Sequence, residues 1–236
     1  MAPGVDVDLI TSLDLPATTE RVNVGFMGCH GAINAMRTAL GFATADPAAR
    51  ILLCAVEVCS LHYRYNWDPE RIVGNALFAD GSAAIVAGGG AGTDADAWRV
   101  VATGSCLVPQ STDAMTWSLG DYGFEMTLSA RVPDLIQRHL RPWLSDWLAG
   151  QGTSIEAIGS WAVHPGGPRI VTAVEESLAL PREATAISRE VLSQCGNMSS
   201  PTVLFILDRL RRQNAPRPCV ALAFGPGLVA EAALLV

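Results

Sequence analysis

Cysteine 29 stands in the run Val24-Gly-Phe-Met-Gly-Cys-His-Gly-Ala32, between a short apolar stretch and an alanine-rich segment of helical pattern. A thiol placed there lies at the amino end of a helix, whose positive pole stabilises a thiolate. Its glycine neighbours leave room for a thioester to approach the backbone. That setting predicts a nucleophile with a lowered pKa. The same residues equally describe a structural thiol in a glycine-rich turn, and one cysteine after a strand does not choose between the two.

A thiolate nucleophile needs a base or an ion-pair partner. Of the four histidines, His139 falls on the polar side of a long helical pattern and reads as solvated. His30 adjoins Cys29, but neighbouring side chains at a helix start point apart, so packing is its expected role. His62, in Ser60-Leu-His-Tyr-Arg64, follows a strand and is placed to line a pocket. His164 ends an apolar strand and enters Pro165-Gly-Gly-Pro168, at the carboxyl edge of a sheet, where catalytic groups gather. Asn197 follows Gly196 and opens a helix, where the plain reading of an asparagine is an N-cap.

The elements that must position these residues follow from the apolar periodicity. Residues 22–26 and 51–58 read as buried strands, 83–87 and 98–108 as further strands, and 32–42 and 69–78 as helices. Residues 88–96 read as a flexible turn. In the second half a long amphipathic helix covers 129–149, with Pro133 tolerated near its first turn. A strand at 158–163 leads to helices at 169–178, 184–195 and 200–213. Two apolar strands, 219–224 and 227–235, close as a hairpin around Gly225-Pro-Gly227. The mixture predicts a layered α/β architecture.

Composition narrows the function classes. Half of the 236 residues are hydrophobic, 17% are charged and 22 are glycine, which predicts a globular α/β protein with a sizeable core. The formal net charge is -7, and the basic residues gather no more densely than around Arg209–Arg212, which argues against nucleic acid as a partner. The six cysteines show neither a CxxC pair nor zinc-ligand spacing. They predict a reducing, cytoplasmic setting, no disulfide framework, no metal, and mostly buried thiols. The start of the chain lacks the pattern of a secretory signal. The apolar C-terminal run is broken by Gly225-Pro-Gly227 and charged by Glu231, which suits core strands and not a membrane span.

Five segments, taken together and in order, carry a resemblance. They are Val24–Ala32, Gly74-Asn-Ala-Leu-Phe-Ala-Asp-Gly81, Trp161-Ala-Val-His-Pro-Gly-Gly-Pro168, Gly196-Asn-Met-Ser-Ser200 and Phe224-Gly-Pro-Gly227. Their sequence and order resemble type III polyketide synthases, the chalcone- and stilbene-synthase-like branch of the thiolase superfamily. The resemblance implies an α/β, thiolase-like duplicated αβαβα layered fold with its first half truncated. Residues 1–90 would then be the remainder of the half that carries the nucleophile, and 91–236 the half that carries histidine and asparagine.

It further implies that Cys29, His164 and Asn197 are catalytic. Cys29 would load an acyl-CoA starter, and malonyl-CoA would extend it by decarboxylative Claisen condensation, with no cofactor beyond the CoA thioester substrates. Phe78 and Met126 would take the gatekeeper positions, and His62, Trp117 and Ser199 would line the cavity. Gly166 and Gly167, with Gly225, Pro226 and Gly227, would complete the substrate site. Trp117 is bulky where plant members have a small residue, which favours a microbial-type alkylpyrone, alkylresorcinol or small aromatic product. The family carries a long segment before the nucleophile, with basic residues for the CoA phosphates, and that segment is expected to be missing here. Ala2 falls where plant members place a methionine at the dimer interface. A homodimer is expected, or a heterodimer if the missing half comes in trans. Two other readings stay open: a non-catalytic subunit pairing with a full-length synthase, and an initiating ketoacyl-carrier-protein synthase that prefers a carrier-protein thioester.

Overall fold

The computed structural model describes residues 3–63, 67, 69–89, 97–120 and 123–236. Ala2 and most of the expected 88–96 turn lie outside the described residues. In chain order the elements are α1 (Val5–Ser12), α2 (Gly31–Ala45), β1 (Arg50–Glu57), α3 (Pro69–Leu77), β2 (Gly81–Gly88), β3 (Val100–Leu107), β4 (Met115–Gly120) and β5 (Gly123–Leu128). They continue with α4 (Val132–Gly150), β6 (Ser160–Val163), α5 (Pro168–Leu178), α6 (Ala186–Cys195), α7 (Pro201–Arg212), β7 (Cys219–Gly225) and β8 (Val229–Leu235).

A four-stranded sheet of order β3-β8-β7-β6 organises the molecule, with β6 and β7 parallel and the other pairs antiparallel. Every residue of β7 is buried, because helices cover both faces. On one side Val220, Leu222, Phe224, Ala232 and Leu234 meet α4 and α5. Helix α4 offers Val132, Ile136, Leu140, Leu144 and Leu148, a four-residue spacing that keeps one apolar stripe facing the sheet. On the other side Ala221, Ala223, Ala233 and Leu235 meet α2 and α7.

Helices α2 and α7 in turn carry β1 and β2 on their far side, through Leu53, Ala55, Ala83 and Ile85. The layers therefore run helix, sheet, helix, sheet. The second sheet has only these two strands among the described residues.

Three expectations need correction. Residues 22–26 form no strand and are largely exposed, Phe26 by 88%. No neighbouring strand pairs with them among the described residues, and an apolar run without a ladder partner has nothing to make it a strand. Strand β1 is buried on one face only: Leu52, Cys54 and Val56 point to solvent while Leu53 and Ala55 are covered. The thiols are also less buried than expected, since only Cys219 is fully enclosed and Cys54 is exposed. The hairpin β4–β5, with Trp117 opposite Met126, was not foreseen at all. Among the described residues no helix is long and apolar enough to cross a membrane.

Candidate active site

Cys29 lies in a single turn, Gly28–His30, that leads directly into α2. Gly28 has a φ of +60°, and a Cβ there would meet Pro226 at 2.9 Å, so both backbone freedom and space require glycine. The turn rests on the end of β7. At Gly225 a Cβ would strike the His30 ring and come within 2.8 Å of the Met27 carbonyl oxygen. The Gly225–Gly227 motif is thus a seat for the turn that carries the thiol.

His164 follows β6 directly, and its backbone N–H donates to the Leu222 carbonyl at 2.7 Å. It is 1% exposed, and neither ring nitrogen has a hydrogen-bond partner among the described residues. Asn197 is not a helix cap, because α7 begins later, at Pro201. Its backbone instead forms a bridge beside α3: the Asn197 N–H donates to Leu77 at 2.8 Å and its carbonyl accepts from Ala79 at 2.9 Å. The side-chain oxygen accepts the Ser199 N–H at 2.8 Å, which fixes the amide Nδ2 as the donor end. That nitrogen lies 4.0 Å from Cys29 Sγ and 3.4 Å from the Gly166 carbonyl oxygen, so the loop after His164 meets Asn197 beside the thiol. Ser199 holds a φ of +57°, an uncommon backbone state for a side-chain-bearing residue, next to the reacting groups.

The electrostatics differ from the lowered thiol pKa that the start of α2 predicts. Burial pushes the Cys29 thiol up to about 11, opposed by hydrogen bonds from Ser199 and Asn197 and reinforced by the Glu57 carboxylate. Burial also pulls His164 down to about 3, with His30 adding to the effect. In the free chain both groups are therefore neutral at pH 7. The dipole of α2 does not overcome the loss of water around the sulfur. Neutral His164 presents a bare imidazole lone pair, the state required to take a proton from the thiol.

The pocket residues expected from the sequence line one open cleft of about 2410 Å³: His62, Phe78, Trp117, Met126, Ser199, Gly166, Gly167 and Pro226 share it with Cys29, His164 and Asn197. Gly225 and Gly227 are not on its wall: Gly225 lies under the Gly28–His30 turn, whereas the Gly227 N–H donates to the Met115 carbonyl at 2.8 Å. His62 and Trp117 meet edge to face with ring centroids 5.2 Å apart, joining the turn after β1 to the β4–β5 hairpin. Sequence reasoning missed Glu57 and Ser200. The Ser200 hydroxyl donates to Glu57 at 2.6 Å at the cleft wall. Only the end of β1, folded against the start of α7, brings these two together.

With this geometry in view, comparison with known proteins is decisive. The profile "Chalcone and stilbene synthases, C-terminal domain" matches residues 99–236, and the corresponding N-terminal profile matches residues 1–91. The chain belongs to the chalcone and stilbene synthase family. It is 36% identical over 239 residues to 1,3,6,8-tetrahydroxynaphthalene synthase of Streptomyces peucetius, covering 99% of this chain and 63% of that protein. It is 35% identical over 241 residues to the alpha-pyrone synthesis polyketide synthase-like Pks18 of Mycobacterium tuberculosis, covering 99% of this chain and 61% of that one.

Among solved structures, PKS-I of the brown alga Ectocarpus siliculosus superposes with a TM-score of 0.95 at 32% identity, over 100% of this chain and 65% of the other. The type III polyketide synthase domain of Steely1 from Dictyostelium gives 0.93 at 33% identity, over 100% of this chain and 67% of the other. The fold is thus the thiolase-like α/β fold of the type III polyketide synthases. This family member spans less than two thirds of the length of the curated relatives it matches.

Proposed function

We propose that this chain is the condensing part of a type III polyketide synthase, with acyl-CoA and malonyl-CoA as substrates and no resident cofactor. The observation that carries this is the meeting of Cys29 Sγ and Asn197 Nδ2, beside the loop of a buried, unpartnered His164, in one cleft. The thiol proton passes to His164 as the sulfur attacks the starter thioester. A carbon–sulfur bond forms, and CoA leaves as its thiolate. Asn197 Nδ2 and the protonated His164 then donate to the thioester oxygen where negative charge develops. Malonyl-CoA loses CO2, and the resulting enolate carbon attacks the acyl-Cys29 carbonyl, expelling the Cys29 thiolate. Decarboxylation itself supplies the carbanion, so no carboxylate base is required. The Trp117–His62 pair takes up volume in the cleft, which fits pyrone or small aromatic products such as those the two relatives are named for.

Mass spectrometry of the intact chain after incubation with acyl-CoA tests the reading. A single acyl adduct on Cys29, absent in Cys29→Ala, is expected, with labelled malonyl-CoA incorporated only by the unsubstituted chain. No adduct and no turnover would reject it. A second reading, a subunit that works with another chain, is supported by the uncovered outer face of β1–β2. In that case turnover would appear only when a full-length synthase is added.

A further inference from the structure

Behind the nucleophile turn lies a line of buried polar groups that the condensation chemistry does not use. Glu231, on β8, is 3% exposed, as is His30. One Glu231 oxygen accepts from Asn34 Nδ2 at 3.1 Å and from the Ser105 hydroxyl at 2.8 Å, and the other is paired with the Arg37 guanidinium. Arg37 also donates to Thr103 Oγ1 at 3.0 Å and to the Gly104 carbonyl at 3.2 Å, both on β3. Asn34 thus has its amide N–H committed to a carboxylate, so its Oδ1 faces His30 as an acceptor. His30 Nδ1 lies 2.7 Å from that oxygen and must carry the hydrogen. The other ring nitrogen, Nε2, is buried without a partner among the described residues, against Gly225.

The groups facing His30 are Asn34, Glu231 and Arg37, with His164 near enough to feel its charge. Burial is the largest influence on His30 and favours the neutral ring.

Resting on the condensing-enzyme reading, we propose that His30 is a positioning residue for Cys29, its Nδ1–H tied through Asn34 to the Glu231–Arg37 pair. The tie runs from the residue next to the nucleophile, across one turn of α2, to β3 and β8. Helix α2 has no side-chain cap at its start, so this bond adds a directional tie to the Gly225–Pro226 seat beneath the turn. It sets where Sγ stands relative to Asn197 and His164. Acyl transfer is sensitive to that distance, and a displacement of about 1 Å costs on the order of 100-fold in rate.

The test uses the full chain with two variants. His30→Phe keeps a ring but removes the donor, and His30→Asn keeps a donor near the Nδ1 position. Acyl transfer from acyl-CoA to Cys29 is expected to fall about 10–100-fold in His30→Phe, with KM changed less than about 2-fold, and to recover by at least about 5-fold in His30→Asn. Nitrogen-15 shifts of the imidazoles, with His30 assigned from the His30→Phe spectrum, are expected to show an Nδ1–H tautomer at pH 7–8. Equal loss in both variants, a His30→Phe rate within about 2-fold of the parent chain, or an Nε2–H tautomer would overturn the proposal. If the parent chain accepts no acyl group, the functional reading falls by itself. The tautomer then decides the His30 tie: Nδ1–H supports it and Nε2–H overturns it.

Discussion

The two sheets on either side of the α2–α7 layer are treated very differently. The four-stranded sheet has helices on both faces, and β7 and β8 are buried almost end to end. The β1–β2 pair is covered on its inner face alone, with Leu52, Cys54, Val56 and Val86 left in solvent. Helix α1 buries no residue, and its segment is linked by an exposed Arg21–Asp6 pair at 2.8 Å, which solvent screens. The proposed catalytic groups follow this division in part, with Asn197 bonded to Leu77 and Ala79 between α3 and β2. His164 and the seat of Cys29 are built on the covered sheet. His62 and Phe78, which shape the pocket, hang from the uncovered side. The difference teaches that His164 and the Cys29 turn are held by the well-packed part of this chain, while Asn197 and the pocket wall depend on the join to the sparsely packed part.

The sharpest way to break that comparison is to remove side chains from each sheet. Leu222→Ala, in fully buried β7, is expected to cost about 3–4 kcal/mol in urea unfolding, whereas Leu52→Ala on the bare face should cost about 0.5 kcal/mol or less. Similar losses at both positions would mean that the outer face of β1 is covered in solution.

Acidity is shifted on both sides: burial shifts His164 and Cys219 on the covered sheet, and burial with the Glu57 carboxylate pushes Cys59, just after β1, up to about 12. His164 is held at about 3 against an ordinary 6.5, so its neutral form stabilises the fold above pH 6.5. That contribution is lost as pH falls from 6.5 toward 3. Cys29 and Cys219 are both held up at about 11 against 9.0, so their protonated forms contribute stability below pH 9 that is lost as pH rises toward 11. Stability measured across pH should therefore fall at both ends, by roughly a few kcal/mol. His164→Gln should flatten the acid side, and Cys219→Ala should lessen the alkaline slope while leaving the shares of Cys29 and Cys59. A parent curve with no acid slope between pH 6.5 and 4 would show that His164 is not buried as described.

Thiol labelling sharpens the same point at smaller cost to the protein. At pH 8, Cys54 on the bare face is expected to react with a maleimide first. Cys219 should react only through opening of the sheet, roughly 100-fold or more slowly. Comparable rates would remove the distinction between the two sheets. The smallest effect is expected for Val86→Lys, which places a charge on solvent-exposed β2. It should leave stability within about 0.5 kcal/mol and reduce binding of an apolar dye, read by fluorescence.

Much of this molecule is legible without coordinates, for identifiable reasons. The β7–β8 hairpin announces itself through two runs around Gly-Pro-Gly that are apolar but for Glu231, because a doubly covered sheet leaves few polar positions. Helix α4 is equally plain from its four-residue apolar spacing. The β4–β5 ribbon was overlooked although Met115-Thr-Trp-Ser-Leu119 and Phe124-Glu-Met-Thr-Leu128 both alternate apolar and polar residues, the pattern of a strand with one covered face. Residues 22–26 mislead because a short apolar run looks the same whether or not a partner strand lies beside it. Cys29, His164 and Asn197 were ambiguous one at a time, and became a site only as part of ordered motifs.

Residue order by itself determined which groups are available: a thiol ahead of a helix, an imidazole after a strand, and an amide after a glycine. These are local properties, set by adjacent residues and by backbone sterics. Tertiary structure alone decided that Asn197 stands 4.0 Å from the Cys29 sulfur, that the thiol is raised and not lowered, and that Glu231, 202 positions after Cys29, lies behind the turn next to it. Distance, desolvation and long-range pairing depend on which surfaces meet in space. Residue order along one segment does not contain that information.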